Sequence, residues 1–327
     1  MAYLRLRILR LVPVFFIVTF ASFSLLNILP GDVADAILGG GAEFADNPEG
    51  LLEARLEIRE ELGLDRPIIE RYFLWLSNLL QGDFGESQIQ LVPVWELILE
   101  RLPVTLELLI LSQFLAILIA IPLGIYSALK ADKTADRIIG TVVFGIVAMP
   151  PFLLAILFVF FFAVTLQFLP ASGYIPIDEN LSENLSYFIL PAITIGVLEV
   201  PVLLRVLRVD LIATLQEDFI ANARAKGFSR MYILFNHALR PSSFTLVTML
   251  GLQFGFLISG TVIIEDIFAL PGMGKLILES IDNRDAMLLQ GAVTIIALTY
   301  VIINLLVDIL YGFLDPRVGH FGRGRHD

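Results

Sequence analysis

Apolar residues gather along this chain in six long runs, roughly 11 to 29, 104 to 128, 139 to 168, 188 to 204, 243 to 264 and 289 to 313. A helix needs about 20 mostly apolar residues to cross roughly 30 Å of hydrocarbon, so each run predicts a membrane span. Pro150 and Pro151 remove two backbone donors from the third and should break or kink it. The fourth carries Pro191, Glu199 and Pro201. Carbonyls freed by such breaks need protein or water as partners, so both segments are expected to face neighbouring helices rather than lipid.

Two polar excursions separate the runs. In the first, about 30 to 103, Leu51, Leu52, Arg55, Leu56, Arg59 and Leu62 recur at helical spacing between Pro48 and Gly63. Pro67 to Leu80 supplies Tyr72, Phe73, Trp75 and Leu76, then ends at Gly82-Asp-Phe-Gly85. This predicts a small helical cap, with direct substrate contact as the other reading. In the second excursion, 205 to 242, Leu211, Ile212, Leu215, Phe219, Ile220 and Ala223 fall on one helical face before Arg224-Ala-Lys-Gly227. Gly at that point is a natural helix stop. A shorter amphipathic run, Met231 to Leu239, leads to Pro241. On composition alone this is a basic element lying at the membrane surface.

Composition agrees with the spans: 57% of residues are hydrophobic and 17% charged, against about 25% charged in soluble domains. The absence of cysteine excludes disulfides, thiolate metal sites and cysteine nucleophiles. Three histidines, two of them within the last eight residues, argue against histidine metal chemistry. The net charge of −11 argues against nucleic acid as a partner, but its distribution says more. With the N-terminus inside, Arg5, Arg7, Arg10, Lys130, Lys133, Arg137, Arg205, Arg208, Arg224, Lys226, Arg230, Arg240, Arg317, Arg323 and Arg325 are all inner, and only Arg55, Arg59, Arg66, Arg71, Arg101, Lys275 and Arg284 are outer. Inner loops retain excess Lys and Arg, so both termini are expected in the cytoplasm. The acids of the 30 to 103 loop leave the outer face negative, which disfavours an anionic partner there; a cationic or zwitterionic solute and a saline habitat both fit. Arg5, Arg7 and Arg10 before an apolar run, with Ala34-Asp-Ala36 beyond, also suggest a signal peptide, but the run exceeds the roughly 7–15 residues of such a core. An uncleaved first helix is expected.

Some polar residues fall inside the runs. Glu107, Glu199 and Asp308 are ionisable positions at membrane depth, where function is the default hypothesis; structural pairing is expected and a proton relay is the alternative. Asn304 and Asp308 share a face of the sixth helix and are expected to bond to neighbouring helices. Gly251, Gly255 and Ser259 repeat every four residues, a small-residue stripe for close helix approach; with Gln253, Asn304 and Asp308 they either pack the bundle or line a pathway or a permease interface. Gly272-Met-Gly274-Lys275 lacks the first glycine of a phosphate loop and has Leu276 where Ser or Thr is required, so no ATP is bound there.

Asp218-Phe-Ile-Ala-Asn-Ala-Arg-Ala-Lys-Gly227, followed by His237-Ala-Leu-Arg-Pro241, resembles the cytoplasmic coupling motif of ABC importer permeases in the dipeptide, oligopeptide and nickel branch. The motif's Glu-Ala opening is replaced by Ala221-Asn222, while Ala223 and Gly227 match. Leu29-Pro-Gly-Asp32, Leu62-Gly-Leu-Asp-Arg-Pro67 and Leu79-Leu-Gln-Gly-Asp-Phe-Gly85 resemble the family's first-loop signatures. Glu265-Asp-Ile-Phe-Ala-Leu-Pro-Gly-Met-Gly274, Asn283-Arg-Asp285 and the run from Asn304 to Asp315-Pro-Arg317 match in order and spacing.

The resemblance implies an all-α integral membrane protein with the six-helix type I ABC importer permease fold. It implies residues 1–103 as first helix and extracytoplasmic loop, 104–316 as permease core with a coupling helix at about 211–227, and 317–327 as cytoplasmic tail. Asp218, Phe219, Ala223, Arg224, Ala225, Lys226, Gly227, His237 and Arg240 would engage the ATPase, with Leu215, Phe219 and Ala223 turned to the bundle, Arg224 and Lys226 to the partner, and small Ala223 and Gly227 allowing close backbone approach. Pro271, Gly272, Gly274, Arg284 and Asp285 would lie at the extracytoplasmic mouth. Expected partners are a second permease subunit, two ATPase subunits that use ATP and Mg, and an extracytoplasmic binding protein; this chain itself catalyses no bond chemistry and holds no cofactor. An ion-coupled secondary transporter would need no ATPase, but paired midplane acids and an inverted repeat are missing. An intramembrane enzyme lacks any nucleophile, base or metal constellation. The cargo, whether dipeptide, oligopeptide, nickel chelate or a related solute, is left open.

Overall fold

The computed structural model describes residues 12–24, 48–61 and 65–314. Leu29 to Asp32, Leu62 to Leu64, Asp315 to Arg317 and the tail lie outside them, as do the side chains of Gly255, Ser259 and Asp308. Among the described residues every named element is helical. These are α1 (Val12–Ser24), α2 (Pro48–Glu61), α3 (Ile68–Leu80), α4 (Val94–Leu129), α5 (Thr134–Val147), α6 (Pro151–Phe158, continued as a wider π-turn over Val159–Thr165), α7 (Leu181–Thr214), α8 (Asp218–Ala225), α9 (Arg230–Ile233), α10 (Leu239–Ser242), α11 (Phe244–Ile267), α12 (Met273–Asp282) and α13 (Ala286–Leu314).

By length and composition, three of these helices can cross a membrane: α4, α7 and the Ala286–Val307 part of α13. The pair α5 and α6 makes a fourth if counted as one broken span, bent by 105° at the Pro150-Pro151 step. The predicted break is therefore present, and Pro151 opens the second arm at a position where its missing donor costs nothing.

The expectation that both proline-bearing spans hide from lipid divides. In α7, 67% of the most apolar stretch is buried, against 39% in α4 and 33% in α13. The third run is the reverse: Phe144 and Phe160 are 69% and 62% exposed. At the bend Phe144 O accepts from Ala148 N–H at 3.2 Å, Ile146 O from Met149 N–H at 3.1 Å, and Pro150 O from Leu153 and Leu154 N–H at 3.1 and 3.3 Å. Pro191 and Pro201, conversely, do not break α7, which runs through both for 34 residues. Asn180 opens it, accepting from the backbone N–H of Ser182 and Glu183 at 3.1 and 3.3 Å.

Contacts divide the chain into two units. The larger runs from Val104 to Gly274 and resumes at Tyr300. Its centre is α7, packed by α5, α6, α10 and α11, with Val200, Leu203, Leu204 and Leu207 against Ala116, Ala120 and Leu246. The backbones of α4 and α7 meet closely where a side chain is missing: a Cβ on Gly196 would stand 2.8 Å from the carbonyl oxygen of Ser112. The smaller unit ends at Pro103 and includes Lys275–Thr299. Here Phe23, Tyr72, Leu76 and Leu79 form a core, Thr19 and Tyr72 share a hydroxyl bond of 2.8 Å, and Ser22 bonds Thr294 at 2.7 Å. The predicted loop helices are present, though Phe73 of the expected apolar set is 58% exposed.

Candidate functional site

The coupling-motif residues form a compact helical knob after α7. The chain turns at Leu215–Glu217 and restarts as α8, so the apolar positions from Leu211 to Ala223 do not share one continuous helical face. Ile220 and Ala223 are buried with Leu211, Ala128, Ile233, Leu234 and Ala238, and Leu215 packs at the edge. Phe219, expected to face the bundle, is 46% exposed. The break before Asp218 resets the helical phase and rotates it outward.

Asp218, Arg224, Ala225, Lys226 and Arg240 are exposed. The helix closes at Gly227, whose φ is +82°. Gly227 N–H donates to Arg224 O at 3.0 Å and Phe228 N–H to Ala223 O at 3.4 Å, the paired bonds of a Schellman cap. Nothing lies within 4 Å of a Cβ built on Gly227. Glycine is needed there for the left-handed backbone rather than for close approach within this chain. Ser229 then caps α9, accepting from Tyr232 N–H at 3.3 Å. His237 stands half-buried beside Phe228 and Tyr232, with ring centroids 5.9 and 5.6 Å away.

One contact beside this knob was not foreseen. Arg208, on the last turns of α7, grips Asp136 of α5 with Nε to Oδ1 at 2.8 Å and Nη2 to Oδ2 at 2.6 Å. Asp136 also accepts from Ser127 Oγ and, at 2.9 Å, from Asp132 N–H. The carboxylate is buried and held by four donors, a bidentate arrangement stronger than an ordinary surface pair. The residues are 72 positions apart, so no spacing rule reveals them.

The motif expected at the mouth is a packing knot. Glu265 is fully buried; its Oε1 accepts from Thr105 Oγ1 at 2.7 Å, and that hydroxyl accepts from Met273 N–H at 2.7 Å. A Cβ on Gly272 would overlap the Glu265 carboxylate, and one on Gly274 would lie 2.6 Å from Val262 Cα. Pro271 is half-buried beside them. In the smaller unit Arg284 is exposed, while Asp285 is 1% exposed. Asp285 caps α13 by accepting from Leu288 N–H at 3.0 Å and takes a 2.5 Å bond from Ser87 Oγ.

Of the residues assigned to a pathway or interface, Gly251 packs α11 on α13, since a Cβ there would collide with Val307. Gln253 is buried within the chain. Asn304 does not reach a neighbouring helix: its amide donates to Tyr300 O of its own helix at 3.0 Å, satisfied one turn back. Among the described residues no charge partner is found for Glu107 or Glu199. Glu107 accepts only a 3.5 Å bond from the Asn184 amide, and an oxygen of each carboxylate has no hydrogen-bond partner.

Comparison with known proteins gives this geometry its context. Residues 120–320 match the family described as binding-protein-dependent transport system inner membrane component, and residues 1–109 match the N-terminal region of such membrane components. The glutathione transport system permease protein GsiC of Escherichia coli K12 is 34% identical over 312 residues, 95% of this chain and 97% of that protein. A putative peptide transport system permease protein of Brucella abortus is 38% identical with the same coverage. A chain of the MetNI methionine ABC transporter, solved in inward-facing conformations, superposes with a TM-score of 0.56 at 15% identity, covering 67% of this chain and 96% of that one. These relatives leave the ion-coupled alternative without support. The chain belongs to the binding-protein-dependent transport system inner membrane component family, as a permease subunit of an ABC importer.

Proposed function

We propose that this permease carries peptides, or a related small solute, across the inner membrane by alternating access, and that α8 is the element through which ATP hydrolysis drives it. Both termini are cytoplasmic, since the charge asymmetry places α8 to α10 with the basic loops. An ATPase subunit, one of two in the transporter, docks on the 215 to 240 segment, a second permease completes the pathway, and a binding protein delivers cargo to the opposite face. The names of the relatives, glutathione and peptide permeases, support the cargo class.

The observation that carries this reading is the two-sided build of α8. Ile220 and Ala223 anchor it in the bundle, so it moves with α7, while Arg224, Ala225 and Lys226 are exposed on a helix closed by Gly227, Arg224 Nη2 donating to Leu215 O at 3.4 Å. A rigid knob of this kind converts closure of an ATPase dimer into movement of spans, biasing a bundle with two arrangements. Because the chain has no cysteine, Ala225→Cys supplies a unique thiol. In the assembled transporter a short bifunctional reagent is expected to join it to an ATPase subunit, and Gln81→Cys, on the exposed end of α3, to give no such product. Equal labelling of the two, or none from Ala225→Cys, contradicts the docking assignment.

A further inference from the structure

Glu199 stands at the middle of α7, 8% exposed, with one carboxylate oxygen lacking a hydrogen-bond partner. A buried carboxylate persists as an anion only beside a counter-charge. The sequence offers none at this depth: it has no Lys, Arg or His over 102–129, 138–204, 241–274 or 285–314. Arg208, further along α7, is committed to Asp136.

Two more buried polar side chains with unsatisfied atoms lie within about two helical turns of this level. Ser242 donates to Thr214 Oγ1 at 2.9 Å and to Asp210 O at 3.4 Å, so α11 starts beside the end of α7 and runs back along it. Eleven residues later, about 16 Å at 1.5 Å each, Gln253 stands opposite the stretch of α7 from Glu199 to Leu203. It is 7% exposed, and its Nε2 has no acceptor. On the other flank Gly196 abuts Ser112 and Ala116 of α4, which sets Gln113 about 6 Å from that level along the helix. It is 5% exposed, with both amide atoms unpartnered. Bundle interiors normally satisfy such groups.

We infer that Glu199, Gln113 and Gln253 form a polar layer halfway through the bundle that receives the ammonium, or another cationic group, of the transported solute. Glu199 supplies the charge, and the two amides replace part of the water the cation gives up. The structure holds this layer covered; it opens as α7 and α11 shift in alternating access. The inference rests on the importer reading above and adds the charge of the cargo.

Glu199→Gln keeps shape and removes charge, and Glu199→Asp keeps charge. In the assembled transporter in proteoliposomes, with its binding protein, Glu199→Gln is expected to lower uptake of radiolabelled trialanine at least tenfold and Glu199→Asp less than threefold. The melting temperature of the Glu199→Gln complex should equal or exceed that of wild type, with the partner permease co-purifying undiminished, because the amide keeps the shape of a carboxyl that no counter-charge in this chain holds ionised. Unchanged uptake by Glu199→Gln overturns the inference. So does a lowered melting temperature or a lost partner permease, either of which shows a structural counter-charge in the complex. Failure of wild type to take up trialanine counts against the peptide reading alone, and the melting comparison still decides the role of Glu199.

Discussion

Breaking the Arg208–Asp136 clamp should loosen the loop between α4 and α5 without unfolding the bundle. The pair has two donor–acceptor contacts of 2.8 and 2.6 Å, and the side chains are 27% and 9% exposed. Hydrogen bonds to charged groups contribute about 1.5–3 kcal/mol each when buried, and partial exposure of the guanidinium reduces that, so about 3 kcal/mol for the pair is reasonable. Every 1.4 kcal/mol is tenfold, which makes local opening of the loop roughly 100-fold more frequent once one partner is removed. The reporter is in the clamp itself, because Asp132 N–H donates to Asp136 Oδ2. Hydrogen exchange of the amides from 130 to 136 in nanodiscs should accelerate by about that factor in Asp136→Asn and in Arg208→Gln. The double variant should add little, giving a coupling energy of about 2 kcal/mol in the cycle. Unchanged exchange in Asp136→Asn, or additive effects in the cycle, would refute the claim that these residues act as a unit.

The glycines separate by cause. Gly227→Ala, forced to keep a positive φ, should destabilise the end of α8 by about 1 kcal/mol, seen as faster proteolysis after Arg224 or Lys226 and weaker ATPase stimulation by cargo; Gly227→Asp should abolish uptake while insertion remains normal. Gly272→Ala drives a methyl group into the Glu265 carboxylate, which Thr105 holds in place, and should cost about 1–3 kcal/mol as overpacking does. Gly140→Ala, with nothing within 4 Å of its Cβ, should match or exceed wild type in melting temperature. Ser87→Ala strips a buried carboxylate oxygen of its donor and should cost about 1–3 kcal/mol, read as a lower melting temperature that Ser87→Thr partly restores.

Four of the six expected spans, α4, α7, α13 and the bent α5–α6 pair, and the knob were legible in the sequence because their signals are local. An apolar run sets a helix, Pro150-Pro151 sets its bend, and Gly227 sets the end of α8, each within a few residues of the feature it governs. The phase of Phe219 was not legible, because periodicity is counted along one unbroken helix and three residues of turn before Asp218 shift it. Asp136 with Arg208 and Thr105 with Glu265 were invisible for another reason: such pairs are chosen by how helices meet in space. As a break signal, proline misled only in the fourth run. In α7 it is absorbed by a buried helix, whereas at Pro150-Pro151 two in succession leave no way for the helix to continue.

The unbroken course of α7 through Pro191 and Pro201 has a mechanical consequence. Its 34 residues make a rod of about 51 Å at 1.5 Å per residue, longer than the roughly 30 Å of hydrocarbon it crosses. If the rod pivots near its midpoint, a tilt of about 10° moves each end by about 4 Å in opposite senses. A push applied at the α8 end of such a rod would be delivered at the far face as an equal and opposite swing.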